Sequence, residues 1–355
     1  MTATDAAARR RQLAVVIPCY RAARHVGGVI DGLPSWVTHI VAVDDACPDG
    51  TGAVLDACAA RDRRVVVEHH ARNRGVGGAM ATGLRIARAL GADVIVKMDA
   101  DGQMDPAYLP DLLRPLLEER ADFAKGNRFQ HLAALSTMPV ARRVGNVGLS
   151  FLTKAASGCW HVFDVQNGYL AMTGEVLDTL PLAQLDVGYA FENSLLVHVA
   201  IQNFAVVDVP MPAIYGDEVS NLRIGRALVQ FPPRLLHLLL RRLVLRYGVH
   251  DLSPVLLYLV AALALGGFGT VFGGYHWWHS IASGVPATTG TVVLALLPLL
   301  MSFNLLLQAI DLDIRSAPRP RHRQRRVERA DVPGHFQPGA QARDVDAAGD
   351  GSVES

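Results

Sequence analysis

Lysine is nearly missing from this chain of 355 residues: Lys97, Lys125 and Lys154 are the only three, and arginine carries almost all the positive charge. That bias matches a GC-rich genome and is given no function. Cysteine is scarce as well. Cys19, Cys47, Cys58 and Cys159 show no close paired spacing, which suggests neither a disulfide framework nor a zinc site and fits a reducing compartment. Met1 to Gln12 is basic but has no apolar core of signal-peptide length, so the large domain is expected to stay in the cytoplasm. The formal net charge of +1 points to no partner class, and nucleic acid is not an expected partner. Acidic residues are absent from Asn221 to His250, which holds six arginines, and charge of either sign is absent from Leu252–Tyr275 and Ile281–Ile310.

What is present is a repeated alternation. Leu13–Ile17, Ile40–Val43, Val65–Val67 and Val94–Val96 are short apolar runs, the first ended by Pro18. Between them Val26–Leu33, Thr51–Ala60 and Gly77–Leu90 have helical character. Short buried strands alternating with helices predict an α/β fold with a parallel sheet covered on both faces. Ligands of such sheets bind outside the carboxyl ends of the strands. Pro18, the pair Asp44-Asp45 and the motif Asp99-Ala100-Asp101-Gly102-Gln103 all fall at those ends. Two carboxylates flanking one small residue offer hard oxygen ligands, which suit Mg2+ or Mn2+ completed by waters and substrate phosphates. A nucleoside-diphosphate substrate is therefore expected.

The two uncharged stretches each exceed the roughly 20 residues that cross a bilayer. Arginine clusters lie on both outer sides, Arg223 to Arg246 before and Arg315 to Arg329 after, whereas the connection between the stretches, with its aromatic run Tyr275–His279, has no Lys or Arg. The charge asymmetry predicts two transmembrane helices with both outer ends in the cytoplasm and the short connection outside. Arg223–Arg246, broken by Pro232-Pro233, predicts two amphipathic segments lying on an anionic membrane surface. Beyond Ser316 the composition predicts disorder.

Five motifs then occur in order: Val16-Ile17-Pro18-Cys19-Tyr20, Val43-Asp44-Asp45-Ala46-Cys47-Pro48-Asp49-Gly50-Thr51, Asn73-Arg74-Gly75-Val76-Gly77-Gly78-Ala79, Asp99–Gln103 and Gly126-Asn127-Arg128-Phe129. Together they resemble the family 2 glycosyltransferases of GT-A fold, a Rossmann-like architecture with a mostly parallel sheet, and most closely the membrane-anchored polyprenyl-phosphate branch typified by dolichol-phosphate mannose synthases. The resemblance covers about residues 13–247. It implies a nucleotide-sugar donor, a polyprenyl-phosphate acceptor and a divalent ion. Asp44 would then accept hydrogen bonds from the nucleotide base, beside Asp45 and in a slot shaped by Pro18 and Tyr20. Asp99 and Asp101 would hold the metal, with Gln103 as a third ligand. Arg128 and Arg142, with Arg143 beside it, would grip the acceptor phosphate, and Glu192 would order its loop or touch the donor sugar.

Three departures from the family pattern bear on substrate. Asn193 stands where hydroxyl-glycosylating members carry an aspartate base, which favours an acceptor already ionised, such as a phosphate. Arg21-Ala22 and Ala46-Cys47 replace Asn-Glu and Gly-Ser, leaving the nucleotide base open. The Gln-x-x-Arg-Trp motif of processive synthases is absent. The resulting layout is a tail (1–12), a GT-A domain (13–220), basic juxtamembrane helices (221–250), a transmembrane hairpin (251–312) and a disordered tail (313–355). The expected activity is inverting, metal-dependent sugar transfer to polyprenyl phosphate at the cytoplasmic face of the plasma membrane. The alternatives are a membrane transferase acting on a saccharide hydroxyl in cell-envelope glycan synthesis, and a catalytically silent scaffold. A homo-oligomer is compatible with the sequence.

Overall fold

The computed structural model describes residues 11–128, 140–188, 190–212, 224–250 and 253–317. Side chains at 140–147, 149, 224–231 and 250 are not among those described. Tyr215–Ser220, whose polar, glycine-bearing sequence suits either a loop over the active site or an ordinary connector, and almost all of the predicted disordered tail lie outside the described residues.

Seven strands form one sheet in the order β3-β2-β1-β4-β6-β5-β7. They are β1 (Leu13–Cys19), β2 (His39–Asp44), β3 (Val65–His69), β4 (Val94–Lys97), β5 (Phe123–Asn127), β6 (Leu170–Thr173) and β7 (Val206–Pro210). The pairs β1–β2, β2–β3, β1–β4 and β5–β7 are parallel, while β6 runs antiparallel between β4 and β5. Alternation along β1 shows why the apolar runs are continuous. Leu13, Val15 and Ile17 pack on one face with Ile30 of α1 (Val26–Asp31), Leu55 of α2 (Thr51–Arg61) and Leu112 of α4 (Leu109–Leu117). Ala14 and Val16 pack on the other with Met80 of α3 (Gly75–Ala89), Val176 of α6 (Gly174–Thr179) and Leu195 of α7 (Phe191–Ile201). Both faces are covered, so both side-chain parities must be apolar.

Pro18 lies inside β1 and does not end it, contrary to the expectation from sequence. It pairs with Val43 on the β2 side, whereas the β4 ladder stops at Val16↔Lys97. The N–H that proline lacks would face β4, where no partner strand remains. There the chain turns away on both sides, β1 toward β2 and β4 toward β6, and a crevice opens at the carboxyl edge. This is the topological switch point at which open α/β sheets place ligands.

Helix α5 (Val140–Ser157) packs against α8 (Ile224–Val244), which continues as a π-helical turn, Leu245–His250. Helix α8 is continuous across Pro232-Pro233, so the two separate segments expected there are one helix. The two missing donors are offset by burial of Leu235 and Leu238 against Ala156, Val197 and Ile201. Then come α9 (Pro254–Ser283) and α10 (Thr289–Arg315), both long and apolar enough to cross a membrane. Ser253 caps α9 ahead of Pro254, and Gly284 at φ +69° closes it. The aromatic run Tyr275–His279 therefore lies within the last turns of α9, and the connection is only 284–288. At about 1.5 Å per residue each helix is longer than a ~30 Å hydrocarbon core. Helix α10 reaches Arg315, three residues beyond the hairpin boundary drawn from sequence.

Candidate active site

Two cavities meet at the Asp-x-Asp motif. The larger, about 780 Å3, is lined by Pro18, Tyr20, Arg21, Asp45, Asn73 and Gly75, with Gly188 opposite. The smaller, about 120 Å3, holds Gln103, Tyr108, Arg128, Asn167 and Pro212. Asp99 and Asp101 line both. Of the sequence-predicted residues, Pro18, Tyr20, Asp45, Asp99, Asp101, Gln103 and Arg128 are thus brought to one composite cleft.

Asp44 is not among the residues lining either cavity. Its Oδ1 accepts from the Cys47 amide at 3.0 Å, and its Oδ2 lies 3.0 Å from His69 Nδ1. Burial works against its charge, but the contacts with Cys47 and His69 outweigh it and hold the carboxyl below the usual range. The cavity wall belongs to Asp45. That carboxylate accepts from the Arg74 and Gly75 amides, each at 2.8 Å, and lies 2.7 Å from His70 Nδ1, whose Nε2 reaches Thr82 Oγ1 at 3.0 Å. The glycine-rich motif Asn73–Gly78 therefore forms the N-terminus of α3 and fixes Asp45. Its opposite side is sealed by the Gly77 amide donating to Val187 O at 3.0 Å.

Beneath the Asp-x-Asp pair lies a buried cation that sequence reasoning left aside. Lys97 Nζ is 2.5 Å from Asp99 Oδ1 and 3.2 Å from Glu192 Oε1. Burial disfavours the ammonium, yet Asp99 and Glu192 together hold its pKa above the ordinary value. Glu192 is thus committed to Lys97 and is not among the cavity-lining residues. A second buried amine, Lys125, donates to Asn167 O, and burial lowers its pKa to about 8. The signal for Lys97 was available: a lysine closing the otherwise apolar Val94-Ile95-Val96 strand needs a buried partner.

Arg128 grips Asp164 with a fork, Nε to Oδ2 at 2.7 Å and Nη2 to Oδ1 at 3.1 Å, while the Arg128 amide reaches Oδ2 at 3.2 Å. Asp164 is fully buried and was not singled out from sequence. Arg142 and Arg143 fall in the first turn of α5, and their side chains lie outside the described residues. Asn193 is buried in α7, and both its amide atoms lack a hydrogen-bond partner among the described residues. Among the described residues no group of three or more His, Cys, Asp or Glu could enclose a metal.

Residues 14–180 match the model of glycosyl transferase family 2. The chain is 34% identical over 203 residues to polyprenol monophosphomannose synthase of Mycolicibacterium smegmatis, covering 56% of this chain and 75% of that one. The chain belongs to glycosyl transferase family 2. It is 31% identical over 223 residues to undecaprenyl-phosphate mannosyltransferase of Micrococcus luteus, covering 60% of this chain and 90% of the relative. Glucosyl-3-phosphoglycerate synthase of Mycobacterium tuberculosis, solved with Mn2+, UDP and glucosyl-3-phosphoglycerate, shares the fold at a TM-score of 0.50 and 24% identity, over 67% of this chain and 82% of that one. The protein is a glycosyltransferase with a GT-A-like sheet followed by two candidate membrane helices.

Proposed function

We propose that this glycosyltransferase moves a sugar from a nucleoside diphosphate to polyprenyl phosphate, with inversion, at the cytoplasmic face of the membrane that α9 and α10 span. The carrying observation is that Asp99 and Asp101 line both cavities, the large one sized for a nucleotide sugar and the small one holding Arg128. The named activities of the two sequence relatives support the same acceptor class.

In this reading the nucleotide occupies the large cavity beside Tyr20 and Asp45, and the acceptor phosphate enters the small one. A phosphate oxygen attacks the anomeric carbon, and the bond to the departing diphosphate breaks. Arg128, oriented by its fork to Asp164, presents its guanidinium charge to that phosphate, and Arg142 is proposed as a second guanidinium for the same anion. No proton need be removed from an ionised phosphate, which agrees with Asn193 in place of a base and with Glu192 held by Lys97. Two carboxylates with Gln103 at the rim fit a Mg2+ or Mn2+ ion that takes its remaining ligands from water and diphosphate. When bound, such an ion supplies counter-charge to the leaving group. Lys97 keeps Asp99 oriented from below.

The test is a panel of nucleotide sugars offered to the full-length protein in bilayers containing undecaprenyl phosphate, with and without excess EDTA. The expected product is an acid-labile sugar phosphodiester, formed only without chelator. A product made on a saccharide hydroxyl would overturn the acceptor assignment, and undiminished rates in EDTA would overturn the metal.

A further inference from the structure

Asp313 lies near the end of α10, a helix otherwise read as membrane-spanning, yet it is buried against the catalytic domain. Its carboxylate receives four donors. Arg242 Nη1 and Nη2 reach it at 2.6 and 3.0 Å, Trp160 Nε1 at 2.9 Å and the Tyr247 hydroxyl at 2.5 Å. That fills the acceptor capacity of an ionised carboxylate. Arg242 is itself 1% exposed and also donates to the carbonyls of Ala155 and Ala156 at the end of α5. Arg246 joins the same junction, donating to Ala200 O at 2.9 Å and to Ser316 O at 2.5 Å. These two arginines were expected on a membrane surface, and the structure places them inside.

Trp160 opens a short segment whose other end is the active site. Four residues on, Asp164 clamps Arg128, and Gln166, Asn167 and Gly168 line the smaller cavity. Val162 and Val165 anchor the middle in the core, and the Phe163 amide donates to Asp208 at 2.7 Å. One wall of the acceptor cavity is therefore stitched, through nine residues, to the last turn of a candidate membrane helix.

We propose that Asp313 is a positioning residue: through Trp160 and Arg242 it sets the acceptor-cavity wall in register with α10, so that a phosphate carried in the bilayer meets Arg128. This inference rests on the lipid-phosphate reading of the site. Its physical basis is that a saturated, buried ion pair has one low-energy geometry, whereas an apolar contact between the same helices tolerates sliding.

The full-length protein in bilayers is assayed with a long-chain polyprenyl phosphate and, separately, with a short water-dispersed prenyl phosphate. Trp160→Phe removes one donor to Asp313 and keeps the aromatic contact with Phe151. It is expected to raise KM for the long-chain acceptor roughly tenfold, with kcat, donor KM and use of the short acceptor unchanged. Asp313→Asn should do the same more strongly. Unchanged long-chain KM, or equal loss with both acceptors and the donor, would overturn the proposal. A second measurement does not depend on the reaction. Spin labels at exposed Arg63 and Leu307, with Cys47 changed to Ser, should give one narrow distance distribution that broadens in Asp313→Asn. An unchanged distribution also overturns the proposal. If the wild type uses neither acceptor, the lipid-phosphate reading fails and the spin-label distances alone decide the positioning.

Discussion

Lys97 and Asp99 form a contact ion pair, Nζ to Oδ1 at 2.5 Å, directly under the floor that the two cavities share. Glu192 completes the triad from α7, its Oε1 3.2 Å from the same ammonium. Lys97 is 1% exposed, so removing it leaves Glu192, itself largely buried, without its counter-charge and Asp99 without its ion-pair partner. Lys97→Met is expected to lower unfolding free energy by about 3–5 kcal/mol, the usual result of breaking a buried pair. Glu192→Gln should cost less, and the double variant should fall short of the sum by about 0.5–3 kcal/mol. Denaturant unfolding in detergent checks this; strictly additive losses would show that the two residues do not share the cation.

The larger cavity depends on a close backbone approach at Gly77. A Cβ there would lie 2.0 Å from Asp186 O and 2.8 Å from Val187 Cα, both backbone atoms that cannot step aside without moving Gly188 at the cavity wall. Gly77→Ala is expected to cost about 1–3 kcal/mol by overpacking and to raise donor KM. Gly28 in α1 is the control, because its Cβ would meet nothing within 4 Å. Gly28→Ala should gain about 0.5–1 kcal/mol and leave donor KM alone. Equal behaviour of the two variants in thermal unfolding and donor titration would count against the seal.

The sheet and the cleft were largely legible in the sequence because both are written locally. The apolar runs of β1 and β2 end at Pro18 and Asp44-Asp45, that of β4 runs through Lys97 and Met98 to Asp99, and such ends are where α/β sheets bind ligands. β6 and β7 were not legible: Leu170–Thr173 is a short apolar stretch whose antiparallel insertion between β4 and β5 depends on partners far away in the chain, and Val206–Pro210 likewise takes its place only beside β5. The same holds for charges. Arg242 looks like a solvated or lipid-facing arginine until Asp313, 71 residues on, supplies its carboxylate, and Lys97 looks like a strand-end lysine until Glu192 arrives from α7. A sequence shows a charge but not its distant counter-charge, so long-range buried pairs default to surface residues.

His69 gives the fold a pH dependence with a definite sign. Its Nδ1 lies 3.0 Å from Asp44 Oδ2 and its Nε2 3.0 Å from Asp56 Oδ1. The hydrogen bond to Asp44, then that to Asp56, raise its pKa above the ordinary 6.5. A group whose pKa is raised on folding binds its proton more tightly when folded. Its contribution is fully present below about pH 6.5 and is lost as pH rises through the raised folded value. The gap in Tm between wild type and His69→Gln should be widest below the ordinary value of 6.5 and should shrink as pH rises through the raised folded value. A gap that widens with pH would contradict the pairing.

Arg128 and Asp164 separate the lipid-phosphate reading from a hydroxyl acceptor. Asp164 is fully buried and takes Nε and Nη2 of Arg128, which sets the guanidinium plane at the small cavity. If that plane receives a phosphate, Arg128→Ala removes a charge-assisted contact of about 1.5–3 kcal/mol, a roughly tenfold to hundredfold loss in kcat/KM for the lipid phosphate. Arg128→Lys should recover only part, since an ammonium keeps the charge without the planar fork. Asp164→Asn should resemble it, because the guanidinium stays but loses the fork partner that orients it. Asn193→Asp should give no gain, since Asn193 is buried and lines neither cavity, and an ionised phosphate needs no base. Initial rates against polyprenyl phosphate and against the corresponding free alcohol decide the matter. Efficient use of the alcohol, improved by Asn193→Asp and indifferent to Arg128, would mean that the small cavity serves a hydroxyl.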